Sequence, residues 1–213
     1  MKNRLFIKLL IAAYLATAAL LFFGNPNWFP EFYRPRLMAI LALVSIFIIF
    51  LPRMIFHNSD SKAKTKVLDE LEGVTAISLF INGLGGLGLY KLYLVGFPYD
   101  KLAHLVVSFI FIVALSRFIE IWYGKTFNKA LLIAAILVTV TGLGWEVVEV
   151  TSDKVLHTQL LGGGSSQILA DTVWDIVMDF LGVIFGTGFA LFQKRRVAAA
   201  RVVKVVEKEQ KTA

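Results

Sequence analysis

No cysteine occurs anywhere in the 213 residues, which excludes disulfides, thiolate metal sites and cysteine nucleophiles, and leaves the redox compartment unread. Charge is nearly as scarce, at 17% of the chain against 57% hydrophobic residues. A soluble domain of this length needs far more polar surface to cover itself. Internal repeats are also lacking, and low-complexity sequence is confined to the Gly-Gly-Gly-Ser-Ser stretch at 162–166. What the chain does have is long apolar runs and a mean hydropathy of +0.72. Several runs reach the roughly 20 residues that cross a hydrocarbon core of about 30 Å.

Six such runs lie at about 5–23, 37–51 (lengthened by Met54, Ile55 and Phe56), 74–97, 102–122, 130–150 and 171–192. The expected fold is all-α and polytopic: a six-helix transmembrane bundle over 1–193, followed by a basic cytoplasmic tail over 194–213. The first run opens like a signal peptide, with Lys2 and Arg4 ahead of Ala16-Thr17-Ala18. Leu20 to Phe23 carry it past that cleavage-like site, so a retained helix is expected. With the N-terminus inside, 17 of the 22 basic residues fall on the cytoplasmic side. Only Arg34, Arg36, Lys91, Lys101 and Lys154 fall outside. The positive-inside bias therefore predicts six spans in the cytoplasmic membrane with both termini in the cytoplasm. The net charge of +7 reports that orientation. Its residues are scattered among loops and tail, so membrane lipids are the expected surroundings and nucleic acid is not an expected partner.

Against this background the acids converge. Asp100 and His104 begin the fourth run, Glu146 and Glu149 end the fifth, and Asp171, Asp175 and Asp179 begin the sixth. The predicted topology puts all seven at the outer face. Spacings of three and four place each set on one side of its helix. Ser108 extends the first stripe, Thr139 and Gly142 precede the second, and Gly182 and Gly186 continue the third. The Gly182-x-x-x-Gly186 step permits close approach of a neighbouring helix.

Charged groups at membrane depth cost several kcal/mol each unless they are paired, protonated or bound to a cation. Six carboxylates cannot all be ionised in one partly desolvated volume. They need shared protons, basic partners or a bound cation. The nearby basic residues are Lys101, Lys154, His104 and His157, and the two lysines are long enough to reach away to water. An oxygen-rich set with one imidazole suits Mg²⁺, Mn²⁺ or Ca²⁺, or Zn²⁺ if His104 ligates. The expected ligands are His104, Glu146, Glu149, Asp175 and Asp179, supported by Asp100, Asp171, Trp145 and Trp174. Asp100 and Asp171 fit equally well as ordinary acidic residues at helix starts.

Tyr99-Asp100-Lys101-Leu102-Ala103-His104, Trp145-Glu146-Val147-Val148-Glu149, and Asp171 through Trp174-Asp175 to Asp179 and Gly182 resemble the YjdF-like bacterial inner-membrane proteins. They are similar, more distantly, to VanZ-type proteins, named for a role in glycopeptide resistance. VanZ relatives tend to carry Gln and Asn where this chain has Glu149 and Asp179, which favours the YjdF-like side. The likeness covers about 98–188. It implies a shared membrane core and names no reaction.

Other motifs point elsewhere. Gly83-Leu84-Gly85-Gly86-Leu87-Gly88 spells the dinucleotide fingerprint, but no strand precedes it and it lies in an apolar run, so no nucleotide cofactor is expected. Tight packing, or a local break near Asn82, accounts for those glycines. Trp28, Phe29, Phe32 and Tyr33 read as an outer aromatic belt, and Trp122 and Tyr123 as an inner one. Arg117 and Glu120 are spaced as a pair on one helix face. His57 reads as a solvated loop residue. The loop at 151–169 passes over or beside the acids and fits either a lid or a flexible connector.

Two readings lead. A bound cation would polarise a phosphoryl or acyl oxygen of a lipid-linked substrate, with Glu146 or Glu149 as general base and His104 assisting, as in a metal-dependent membrane hydrolase. Alternatively the acids relay H⁺ or a metal ion, as in a transporter. A scaffold whose cluster locks the helices together is the third.

Overall fold

A computed structural model describes residues 2–28, 34–56, 61–156 and 168–212 of the chain, and those residues form helices and no strand. Helix α1 spans Lys2–Phe23, α2 Pro35–Ile55, α3 Lys62–Gly86, α4 Tyr99–Trp122, α5 Phe127–Leu156 and α6 Ile168–Thr212. A short 3-10 segment at Leu89–Val95 links α3 to α4. Five helices are long and apolar enough to cross a membrane, and six spans result if α3 and the 3-10 segment count as one bent element.

In α1, Ile7, Leu10, Tyr14, Ala18 and Leu21 recur three and four apart and form its buried stripe. They pack on Ala39, Ala42 and Ile49 of α2 and Ala76 of α3. Alanines at such a contact let backbones approach, which matters where lipid offers no hydrophobic drive between helices. Large apolar residues such as Leu5, Leu9 and Phe23 point outward, the arrangement an apolar solvent allows.

The third helix departs from the hydropathy reading at both ends. It begins at Lys62 rather than near 74, because its polar first turns have partners. Arg53 donates through Nε and Nη2 to Glu72, both at 2.7 Å, and reaches Asp69 at 2.5 Å. Glu72 is buried there. Helix α3 stops at Gly86 and the chain turns by 55° into the 3-10 segment. Gly88 sits at a φ of 128°, open to glycine and strained for other residues. Gly85 lies against the Tyr90 ring with no room for a side chain. The glycine run is thus a helix break, which falls after Gly86 rather than near Asn82 as one of the two sequence readings had it. Tyr90 Oη donates to Asn82 Oδ1 at 2.9 Å, and Tyr99 Oη to the Ile81 carbonyl at 2.8 Å. These bonds tie the start of α4 to the end of α3.

Helix α4 is central, packing against α3, α5 and α6. Its crossing with α6 is the closest: a side chain at Gly182 would come within 2.5 Å of the Leu105 carbonyl, and one at Gly186 within 2.8 Å of the Phe109 carbonyl. Ile112, Leu131, Val138, Val183 and Ala190 fill the space below. One expectation needs correction. Arg117 pairs with Glu70 at 3.1 Å rather than with Glu120, which meets Lys194 at 2.8 Å. The segment after 193 continues the α6 backbone to Thr212. Trp122 also stacks on Phe118 and meets Phe56 edge-on.

Candidate functional site

Helix starts and helix ends bring the acids together. Asp100, Lys101, His104 and Ser108 descend the first turns of α4, Asp171, Asp175 and Asp179 those of α6, and Glu146 and Glu149 face them from α5. The close α4–α6 crossing set by Gly182 is what lets the first two stripes touch.

The cluster divides into two arms. In the upper arm Lys101 Nζ lies 2.7 Å from both oxygens of Asp175, 2.5 Å from Asp171 Oδ1 and 3.3 Å from Asp100 Oδ2. Lys101 therefore does not reach away to water, as the sequence allowed. Its side chain is only 16% exposed and Asp175 is 1% exposed. Burial of a lysine with two carboxylates is tolerable because each charge has a partner at hydrogen-bond distance.

In the lower arm His104 Nδ1 lies 3.3 Å from Asp179 Oδ2 and 3.9 Å from Glu146 Oε1. Its Nε2 faces Asp175 Oδ1 at 3.7 Å and Asp100 Oδ1 at 3.9 Å. Ser108 Oγ donates to Asp179 Oδ1 at 2.6 Å. Three buried oxygens, both of Glu146 and Oδ2 of Asp179, have no hydrogen-bond partner among the described residues. Unsatisfied buried carboxylate oxygens are costly, a cost that a shared proton, a water or a cation would relieve.

Donor atoms of His104, Glu146 and Asp179 all lie within 4.8 Å of one another, as do those of Asp100, His104 and Asp175. The first triad suits a cation better. Asp175 is already saturated by Lys101, whereas Glu146 and Asp179 hold open oxygens. Spacings of 3.3 and 3.9 Å bracket the roughly 3.4 Å between ligands that each sit about 2.1 Å from a tetrahedral ion. Nε2 would then face Asp175 as a carboxylate behind a ligating histidine.

Of the five ligands expected from sequence, the structure gathers His104, Glu146 and Asp179 and gives Asp175 to Lys101. Glu149 is buried one turn from Glu146, and its Oε1 accepts a 2.6 Å hydrogen bond from Trp145 Nε1. Asp100 and Asp171 both contact Lys101, so they do more than begin their helices. Trp174 points outward. His157, most of the loop at 151–169, His57, Phe29, Phe32 and Tyr33 lie outside the described residues, whereas Trp28 is exposed. Sequence reading missed the depth of Lys101, although its place between Asp100 and His104 was a signal. It also missed the Arg53–Glu72 pair, whose acids fall in turns too polar to read as helix.

A small crevice between α5 and α6 is lined by Thr139, Leu143, Ile176, Asp179 and Phe180. Of its lining residues Leu143 and Phe180 are exposed, whereas Asp179 is buried.

A family model described as "Predicted membrane protein (DUF2238)" matches residues 6–196. No curated protein and no solved structure matches.

Proposed function

We propose that this chain, which belongs to the DUF2238 family of predicted membrane proteins, holds a divalent cation between His104, Glu146 and Asp179 and uses it on a phosphate-bearing, lipid-linked molecule at the outer leaflet. The observation that carries the reading is the set of three buried carboxylate oxygens on Glu146 and Asp179, beside His104, that accept no hydrogen bond among the described residues. Charge balance supports it. Among the described residues, Lys101 and His104 lie within 4 Å of five of the cluster's six carboxylates, those of Asp100, Glu146, Asp171, Asp175 and Asp179. At the opposite end Arg4, Arg53, Arg117 and Lys194 match Asp69, Glu70, Glu72 and Glu120 one for one.

The bound ion would supply Lewis-acid polarisation of a phosphoryl oxygen and a more acidic water. The protein's own groups divide the remaining work. Lys101 holds Asp175, Asp175 faces His104 Nε2, and Ser108 fixes one oxygen of Asp179. Glu149 is kept out of the ligand set by its bond from Trp145 and stands as the general base. Six spans with cytoplasmic termini, from the basic-residue bias, would put this end outside. The likeness of residues 98–188 to YjdF-like and VanZ-type proteins agrees with a shared core.

Transport is the weaker reading. Directly below Asp179, Gly182 and Gly186 press α6 onto the α4 backbone, and Ile112 is fully buried beneath. Ser116 turns back to the Val113 carbonyl. A conducting path would need polar groups where the helices are in closest contact.

Elemental analysis of protein purified without chelator tests the proposal. Wild type is expected to carry one divalent metal per chain, and Glu146→Gln and Asp179→Asn to lose it while still inserting into the membrane. Metal absent from wild type, or retained in both variants, would overturn the assignment.

A further inference from the structure

We infer that Gly142 is a positioning residue of this centre, its missing side chain being the seat of the Asp179 carboxylate. A methyl group at Gly142 would lie 2.5 Å from Asp179 Oδ2, 3.2 Å from its Cγ and 3.7 Å from its Cβ. The three nearest atoms it would meet thus belong to one side chain. Gly182 and Gly186 differ, because their nearest obstacles are carbonyls of the α4 backbone. Gly144, one helical step away, has nothing within 4 Å.

The seat explains how one carboxylate is both held and left open. Asp179 Oδ1 accepts from Ser108, while Oδ2 rests over Gly142, faces His104 Nδ1 at 3.3 Å and receives no hydrogen bond among the described residues. Gly142 lies inside α5, where glycine is disfavoured relative to alanine. Only a bare backbone there leaves Oδ2 its place. A methyl would push the carboxylate away from Gly142, breaking the Ser108 bond or the approach to His104. The steric claim stands on this geometry alone, and its cation readout rests on the proposed metal reading.

The test is a double-mutant cycle on full-length protein in detergent, read by Tm and by titration with Zn²⁺ and with Mn²⁺. Gly142→Ala is expected to lower Tm by several degrees and to weaken cation binding on the order of tenfold or more. Gly144→Ala should leave cation binding unchanged and hold or raise Tm, alanine being the better helix former. In an Asp179→Ala background only the Cβ remains, at ordinary contact distance, so Gly142→Ala should bring no further loss of Tm. An equal loss in both backgrounds would place its cost elsewhere and overturn the inference, as would no loss in wild type. If neither ion binds wild type but the Tm cycle still couples the two positions, the seat stands and the metal reading falls.

Discussion

Lys101 shows how far one side chain can reorganise a charged cluster. Its ammonium contacts Asp100, Asp171 and Asp175 at once, and so splits a set of acids that sequence alone presents as one. Removing a single partner from a buried pair costs about 3–5 kcal/mol, because the other charge is left uncompensated. Lys101→Met is therefore expected to destabilise the protein by about 3 kcal/mol. Adding Asp175→Asn should restore much of that loss, as thermal unfolding in detergent would show. A loss that the second substitution leaves untouched would mean that Lys101 acts by packing. Ser108→Ala removes a hydrogen bond to a carboxylate, worth roughly 1.5 kcal/mol, and should weaken cation binding without displacing Asp175.

Helix α3 is the element whose behaviour depends most on its partners. Its first turns carry Lys62, Lys64, Lys66, Asp69, Glu70 and Glu72, a composition that alone suggests a loop. They are helical because α2 and α4 supply Arg53 and Arg117 in register. Arg53 and Arg4 both reach Asp69, yet only Arg53 serves the buried Glu72. Arg53→Met should thus cost about 3 kcal/mol. Arg4→Met, at an exposed ion pair, should cost under about 1 kcal/mol. Equal costs, measured by unfolding, would remove the distinction. At the other end of α3 the backbone itself decides: Gly88 at φ 128° makes Gly88→Ala destabilising by roughly 1–2 kcal/mol.

For the molecule as a whole, orientation is the largest consequence. The acids gather at the end where α4 and α6 begin and α5 finishes, and the paired arginines gather at the other. The bias of basic residues predicts that the acidic end faces outward. The chain has no cysteine to obscure labelling, so Lys154→Cys and Lys125→Cys can each be probed alone. Both positions are exposed and lie at opposite ends of α5 and its preceding turn. An impermeant maleimide should label position 154 in intact cells, and position 125 only after permeabilisation. The reverse pattern would put the site in the cytoplasmic leaflet.

The sequence by itself determined the helical class, the approximate place of the apolar runs, and the stripes on which the acids sit. Those properties follow from local composition and from the helical period, which need no knowledge of neighbours. It also located the close crossing at Gly182 and Gly186, while the break in α3 was one of two readings of the glycine run and falls after Gly86 rather than near Asn82. Which acid meets which base was decided only by tertiary structure. Arg117 meets Glu70 rather than Glu120, and Lys101 is folded inward, because charges pair by distance in space and each of these partners lies on another helix. The division of the expected ligands into a lysine-held Asp175 and an open His104, Glu146 and Asp179 has the same origin. The close approach of Asp179 on α6 to Gly142 on α5 is likewise a contact that no spacing along the chain encodes.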